Sequence, residues 1–130
     1  MSFQQRKKER RILIIKARDN FKKGSVELIL LSLLVENELY GYQMAQLIAE
    51  RSDGEFNLPE GSMYPILYKL EDNGYISSER KLVGKRMTRV YYRIEKSGKE
   101  YFNILLDEYY KVTNSVIKIL KYNDKKMGEV

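Results

Sequence analysis

The sequence contains no cysteine, no histidine and no tryptophan, and it has only two prolines. Without thiols or imidazoles, the chain has no cysteine nucleophile, no histidine catalysis and none of the usual ligands of a zinc site. A phosphate-binding loop and a nucleophile–base pair are also absent, so we expect a protein that is not an enzyme and binds no cofactor or metal. The lack of cysteine is compatible with a reducing cytoplasm, where we expect the protein, although such a chain fits any compartment.

Long hydrophobic runs are missing as well. No apolar segment reaches the roughly 18 residues that span a bilayer, and the cationic N-terminal region lacks the apolar stretch of a secretory signal. A chain of 130 residues is about one domain long, which is enough for a single modest core. We therefore expect one domain without stable membrane association.

Positive charge is concentrated in two places. Residues 1–24 carry nine Lys or Arg and two acids (net +7), and the rest carries 15 cations and 16 acids (net −1), which together give the formal net charge of +6. The second basic region is residues 80–93, with six cations and no acid. Neutralising phosphates and releasing their counterions favours binding of such regions to nucleic acid.

Residues 1–24 form a basic arm with more than one interpretation. Its cations alone are typical of a solvated, frayed tail. Residues 12–15 and Phe21 are too apolar for a pure tail, however, so we favour a short helix that packs on the body or on a second subunit. A basic amphipathic helix over residues 6–23 would also suit a non-enzymatic adaptor that binds a membrane surface or a protein partner. That alternative leaves the cations of residues 80–93 unexplained.

The middle of the chain predicts three helices. Residues 25–35 are apolar almost all round, as expected of a buried helix, and Ser25 fits its N-cap. A short polar break over residues 36–39 precedes a second helix over about residues 41–51. The third helix has a core stripe at positions i, i+3, i+4 and i+7, formed by Met63, Ile66, Leu67 and Leu70.

The outer side of the third helix carries polar and aromatic side chains that can reach phosphates and base edges. The alternative is that Tyr64 or Tyr68 only covers the hydrophobic seam. We predict DNA contacts from this helix and from the start of the second helix, at Tyr40, Gln43, Ser62, Tyr64, Pro65, Tyr68 and Lys69.

The start of the third helix is ambiguous, because a proline inside a helix loses a hydrogen bond and clashes with the preceding turn. If Ser62 is the N-cap, Pro65 lies in the first turn, where amide groups are unpaired anyway. Otherwise Pro59 takes the first helical position and the helix kinks slightly at Pro65. Asn73 and Gly74 mark the C-terminal end.

Two strands, residues 75–81 and 88–94, are predicted to follow, joined by a tight basic turn at Gly84. A helix followed by a cationic ribbon suits DNA, with the helix in a groove and the ribbon beside it. The alternative is a solvated hairpin whose cations protect an edge strand. In the second strand Val90, Tyr92 and Ile94 share one face, and Arg89, Tyr91 and Arg93 share the other. We predict DNA contacts from Lys85, Arg86 and Arg89.

Residues 95–121 predict a long C-terminal helix with two apolar lines, and residues 122–130 a tail. One small domain has too little core to cover both lines on a helix of roughly 40 Å, at 1.5 Å per residue. A partner subunit is the simplest cover, and folding back on the same domain is the alternative. The coiled-coil-like line, which we predict to be a homodimer interface, consists of Phe102, Leu105, Tyr109, Val112, Val116 and Ile119.

Several short strings follow one another along the chain: Lys23-Gly24-Ser25, Tyr40-Gly41-Tyr42, Gly61-Ser62-Met63-Tyr64-Pro65, Lys69-Leu70-Glu71, Gly74-Tyr75-Ile76, Lys85-Arg86, Tyr91-Tyr92-Arg93 and Ser97-Gly98. These strings and the order of the elements resemble the PadR family of bacterial transcriptional regulators over about residues 23–121. The family has Thr-Leu where this chain has Ser62-Met63, a change that keeps the hydroxyl and the apolar contact.

The resemblance implies a mostly α fold with a two-stranded β-wing: a winged helix-turn-helix over residues 25–94 and a dimerisation helix over residues 95–121. It implies a homodimeric repressor that binds a roughly palindromic operator in double-stranded DNA. It also implies release by a small apolar or aromatic effector, or by stress. Tyr109 and Tyr110 are our candidates for lining an effector pocket between the subunits.

Overall fold

The computed structural model describes the backbone of residues 1–128 and the side chains of residues 1–122. The chain is mostly helical with a small antiparallel sheet, as predicted. In chain order the elements are α1 (Phe3–Lys23), α2 (Val26–Glu36), β1 (Leu39–Tyr40), α3 (Gly41–Arg51), α4 (Glu60–Asp72), β2 (Ile76–Val83), β3 (Met87–Ile94) and α5 (Lys96–Gly128).

The hydrophobic core lies between α2, α3, α4 and the inner face of the sheet. Leu30 and Leu31 of α2 are fully buried, as expected of a helix that is apolar on most sides. The core stripe of α4 is confirmed, with Ile66 half-buried at its edge. Ser25 holds the N-cap position of α2, but its side chain makes no capping hydrogen bond.

The sheet has three strands in the order β1-β3-β2, where two were predicted. Leu39 is buried and pairs with Tyr92, so the predicted polar break ends in a strand. A strand of two residues is too short to show an alternating pattern, and it exists here because β3 supplies its partners. We use the name wing for β2, β3 and their turn, in which Gly84 has a φ of +72°.

The register of β2 and β3 confirms the predicted alternation. Tyr92 is buried and lies opposite Ser78, while Arg89 lies opposite Lys81 on the other face. The strands extend closer to the turn than expected, because Val83 still pairs with Met87.

The first turn of α4 closes on Pro59, and this corrects both predicted starts. Pro59 is the N-cap, since its carbonyl accepts from the backbone N–H of Met63 at 3.2 Å. Ser62 and Pro65 therefore both lie inside the helix. The carbonyl that loses a donor is that of Gly61, which is exposed like Pro65, so the proline costs less than it would in a buried turn.

α1 is a continuous helix without a single buried residue. The prediction of a short helix packed on the body is wrong in both length and packing. The contacts of α1 with the body lie near its C-terminal end, where Arg18 pairs with Glu55 at 2.9 Å and Lys22 lies over the ring of Phe56. Packing on a second subunit remains a prediction, and the exposed apolar residues 12–15 favour it.

α5 is anchored on the body by its first turns. The ring of Tyr101 stacks on Tyr75 at 4.3 Å, and its hydroxyl donates to Glu27 Oε2 at 2.8 Å. The helix continues to Gly128, past the predicted end at Lys121. The predicted tail therefore begins as helix, and residues 129 and 130 lie outside the described residues. No described helix is long and apolar enough to cross a membrane.

Candidate nucleic-acid interface

A groove of about 340 Å³ separates α4 from the wing. Tyr64 and Tyr68 of α4 line one side, and Thr88 and Arg89 of the wing line the other. The start of α3 closes its end with Tyr40. The groove therefore brings together predicted contact residues from three separate segments of the chain.

Four predicted residues lie exposed on α4 and form its outer face: Ser62, Pro65, Tyr68 and Lys69. The Lys69 ammonium lies 3.8 Å from Glu27 Oε1, and its side chain is 71% exposed. A surface ion pair of this length adds little stability, so a phosphate can compete for the ammonium.

Tyr64 belongs partly to the groove and partly to the packing of the domain. Its ring is half-buried against Gly41, where a Cβ atom would lie 2.6 Å from Tyr64 Oη. Its hydroxyl donates to Glu60 Oε2 at 3.0 Å, and its ring stacks on Tyr68 with centroids 6.1 Å apart. Burial, together with the bond to Glu60, raises the pKa of Tyr64 above its usual value. The alternative that a tyrosine only covers the hydrophobic seam therefore applies in part to Tyr64. It does not apply to Tyr68, which is 54% exposed.

Tyr40 and Gln43 shape the first turn of α3. The backbone N–H of Tyr40 donates to Gln43 Oε1 at 3.1 Å, so the side-chain carbonyl of Gln43 caps the helix. The Tyr40 ring meets Tyr91 edge to face at 5.4 Å, and the guanidinium of Arg89 lies over the Tyr40 ring at 4.4 Å. Gln43 therefore has a structural role besides the predicted one. Its side-chain NH2 group is the part that remains for DNA.

The wing carries cations that no carboxylate neutralises. Among the described residues, Arg80, Lys85, Arg86 and Arg89 take part in no ion pair. Lys85 and Arg86 are exposed at the tip. Arg80 lies opposite Val90 and therefore on the other face of the wing from Arg89, so the four charges do not form one surface. A phosphate could approach each of them without displacing an ion-pair partner.

Lys81 and Arg89 lie directly opposite each other on the outer face of the wing. Like charges in this position destabilise a strand pair. Two contacts offset the repulsion at Lys81, whose ammonium pairs with Glu38 at 3.0 Å and lies over the ring of Tyr91 at 4.9 Å. The hydrogen bond that the ammonium of Lys81 donates to Glu38 raises the pKa of Lys81, so the group stays charged. A bound polyanion would remove the remaining repulsion.

Six residues of the groove are not among the predicted DNA contacts, and three of these have polar side chains that are not buried: Tyr42, Glu60 and Thr88. Tyr42 belongs to the string Tyr40-Gly41-Tyr42, in which only Tyr40 is a predicted contact. Glu60 could have been found from its spacing to Tyr64, since residues four apart on a helix are neighbours. Thr88 gives no local signal, because only the position of α4 makes it part of a groove.

The predicted dimer line divides into two parts. Phe102 and Leu105 are half-buried and pack against the core of their own chain. Beyond them, four residues of the line are exposed on α5, and the last three of them lie on its protruding part: Tyr109, Val112, Val116 and Ile119. Contiguous apolar surface of this kind usually marks an interaction site.

An apolar cavity of about 340 Å³ lies between α2, α3 and α5. Tyr109 and Tyr110 both line it, together with Phe56 and Phe102. The two tyrosine rings meet edge to face at 5.7 Å. The two residues proposed for an effector pocket therefore share one cavity, which is built from a single chain.

Comparison with known sequences places this geometry in a family. The profile of the Transcriptional regulator PadR-like family matches residues 30–104, which include α3, α4, the wing and the start of α5. The chain belongs to the PadR-like family. The predicted family is confirmed, while α1 and the protruding part of α5 lie outside the matched residues.

Individual relatives agree with this assignment. The PadR-like chain is 32% identical over 95 residues to an uncharacterized protein of Lysinibacillus sphaericus. The aligned residues cover 73% of this chain and 87% of the relative. It resembles the structure of a transcriptional regulator from Clostridium thermocellum, with 34% identity, a TM-score of 0.69, and coverage of 76% of this chain and 95% of that one.

A third relative is solved as a complex, the Bacillus subtilis PadR with operator DNA. It shares 28% identity with this chain at a TM-score of 0.58, over 62% of this chain and 46% of that one. Together with the three-stranded sheet, these likenesses confirm the winged helix-turn-helix fold.

Proposed function

We propose that this PadR-like protein is a sequence-specific DNA-binding regulator that acts as a homodimeric repressor in the cytoplasm. One observation carries the proposal: Arg89 of the wing, a cation without an ion pair among the described residues, and the exposed Tyr68 of α4 line the same groove. The outer face of α4 enters the major groove, and the wing follows the adjacent backbone. The Bacillus subtilis relative solved with operator DNA supports the proposal that this chain binds DNA.

The predicted DNA contacts fall into two groups: residues that position the protein on the duplex and residues that read its base sequence. Lys85 and Arg86 at the wing tip contact phosphates, which fix the protein on the duplex without reading its sequence. Ser62 and Tyr68 offer hydroxyl groups to base edges, and Pro65 offers an apolar contact to a thymine methyl group. Arg89 is held in place by its stacking on Tyr40 before DNA arrives.

Dimerisation follows from the exposed part of α5. Val112 and Ile119 are more than 60% exposed in one chain, and a second copy would cover them. Two α4 helices must lie roughly 34 Å apart to enter successive major grooves, which predicts a roughly palindromic operator. The pairing of the two α5 helices sets this distance between the two α4 helices.

The cavity at Tyr109 and Tyr110 suits a small apolar or aromatic effector. Because Tyr109 belongs both to the cavity and to the predicted dimer line, a bound compound would change how the two subunits pack. A preference of only a few kcal/mol for one packing shifts the DNA-bound population strongly.

A second candidate function is an adaptor that uses α1. The observation in its favour is that the helix is fully formed and exposed along its length. Residues 12–15 are four successive apolar positions, however, and four residues complete about one helical turn. Apolar groups on all sides do not form the single apolar face that an interfacial membrane helix needs, so a protein partner is the remaining form of this alternative.

The experiment is a fluorescence-anisotropy titration of the protein against duplex DNA from the region upstream of its own gene. A scrambled duplex and two salt concentrations serve as controls, and the titration is repeated with residues 1–20 deleted. We expect tight, salt-dependent and sequence-selective binding that survives the deletion. Binding that disappears with the deletion would assign DNA binding to α1 instead of to the groove. Absence of binding at low salt would overturn the proposal and favour the adaptor.

A further inference from the structure

Glu60 is an acid at the mouth of a groove that is otherwise built for DNA. It is the first residue of α4, it is half-buried, and it lines the groove opposite Arg89. Among the described residues it takes part in no ion pair. Its carboxylate would therefore enter the DNA interface without a cation of the protein beside it.

The Glu60 carboxylate is also held in one orientation. Its Oε2 accepts from the hydroxyl of Tyr64 at 3.0 Å, and the ring of Tyr64 is wedged against Gly41 of α3. A flexible acid could turn away from phosphates, but this one is tied to the packing of two helices. One of its two oxygens is occupied by Tyr64, and a second acceptor atom remains for a ligand.

A fixed carboxylate near DNA is repelled by phosphates, and the major-groove edges of guanine and thymine offer it no donor. The donors in the major groove are the exocyclic amino groups of cytosine and adenine, and carboxylates accept characteristically from cytosine N4. The first residues of a recognition helix are the ones that contact base edges. Glu60 thus has the position and the chemistry of a base-reading residue.

We propose that Glu60 accepts a hydrogen bond from the N4 amino group of a cytosine in each operator half-site, and so determines specificity at that position. This inference rests on the proposed function, because it requires α4 to lie in the major groove. It adds a role that exposed hydroxyl groups cannot fill, since a hydroxyl both donates and accepts and discriminates less between bases.

The test compares the wild type with Glu60→Gln and Glu71→Gln in the full-length chain. Glutamine keeps an acceptor for Tyr64 but removes the charge and adds a donor. Glu71 is the matched control, because it is also a carboxylate of α4 that accepts from a hydroxyl, that of Ser78 at 2.6 Å, and it does not line the groove. Both substitutions change the net charge equally, and circular dichroism melting checks that both variants fold.

Each protein is used to select binding sites from a randomised duplex pool, and affinities are then measured on the wild-type site and on its cytosine variants. For the wild type we expect a symmetric cytosine whose replacement weakens binding by about 5- to 150-fold, and for Glu60→Gln the loss of that preference alone. Glu71→Gln should select the wild-type site unchanged.

Two results would overturn the inference in different ways. If Glu60→Gln and the wild type select the same site and discriminate equally, Glu60 only stabilises the start of α4, and the proposed function stands. If the wild type selects no site at all, the proposed function fails and takes this inference with it.

Discussion

Arg89 lies over the ring of Tyr40, with its guanidinium carbon 4.4 Å from the ring centroid, and so connects the wing to the first turn of α3. Such contacts contribute roughly 0.5–1 kcal/mol at exposed sites. The stacking holds the cation in place before binding, and an ordered side chain loses less entropy when it contacts a phosphate. The relationship makes Tyr40 a positioning residue for Arg89.

Replacing Tyr40 should therefore weaken DNA binding through Arg89. We expect Tyr40→Leu to lower affinity by roughly 2- to 5-fold, as the stacking energy implies, while Tyr40→Phe keeps the ring and stays near the wild type. In an Arg89→Ala background, Tyr40→Leu should have little further effect. Anisotropy titrations of the wild type, Tyr40→Leu, Arg89→Ala and the double variant form a double-mutant cycle. Fully additive effects on the binding free energy would show that the two residues act separately.

The wing tip should supply affinity without specificity. Replacing Lys85 and Arg86 together by alanine should weaken binding to all duplexes and lower the slope of log K against log salt by up to about 2. The control is Lys96→Ala with Lys99→Ala, which removes the same charge from exposed positions at the start of α5. An unchanged slope in the Lys85/Arg86 variant would remove the tip from the interface.

Gly41 should be required for the position of Tyr64. Alanine at this position places a Cβ atom 2.6 Å from Tyr64 Oη, so the hydroxyl must move and its bond to Glu60 weakens. We expect Gly41→Ala to lower the free energy of unfolding by about 1 kcal/mol. The cost should shrink in a Tyr64→Phe background, where the clashing oxygen is absent. Urea denaturation of the four variants measures the coupling, and equal costs in both backgrounds would contradict it.

The exposed part of α5 should carry the dimer. Val112→Glu combined with Val116→Glu places charges on residues that are 61% and 48% exposed in one chain, so the monomer should still fold. We expect monomers in sedimentation velocity, with helical circular dichroism retained. Asn114→Glu, at an exposed position on another side of α5, is the control and should remain dimeric. A dimeric double variant would place the interface elsewhere.

The anchor of α5 should loosen at high pH. The hydrogen bond to Glu27, followed by burial, raises the pKa of Tyr101 from 10.0 to about 12. Because the folded-state pKa lies above the unfolded value, the contribution of Tyr101 to the free energy of unfolding is complete below pH 10 and is lost as the pH rises toward 12. Urea unfolding from pH 8 to 12 should show this decline, and Tyr101→Phe should show a shallower one. Some decline should persist in that variant, since burial also raises the pKa of Tyr92 to about 12.

Local patterns were sufficient for much of this molecule. The core stripe of α4 follows from 3.6-residue periodicity, and the faces of β3 follow from alternation. Gly84 at a positive φ follows from the steric freedom of glycine in a tight turn. These features depend on residues a few positions apart, so the sequence by itself determined them, along with the two basic regions and the likeness to a family.

Contacts between distant segments decided the rest. β1 exists because Leu39 and Tyr40 pair with Tyr92 and Tyr91, about fifty positions along the chain, and two residues have no periodicity of their own. The position of Tyr64 against Gly41, the stacking of Arg89 on Tyr40, and the division of the α5 line into core and exposed parts likewise depend on packing. A sequence pattern shows which side of a helix or strand is apolar, whereas only the tertiary structure shows what that side contacts.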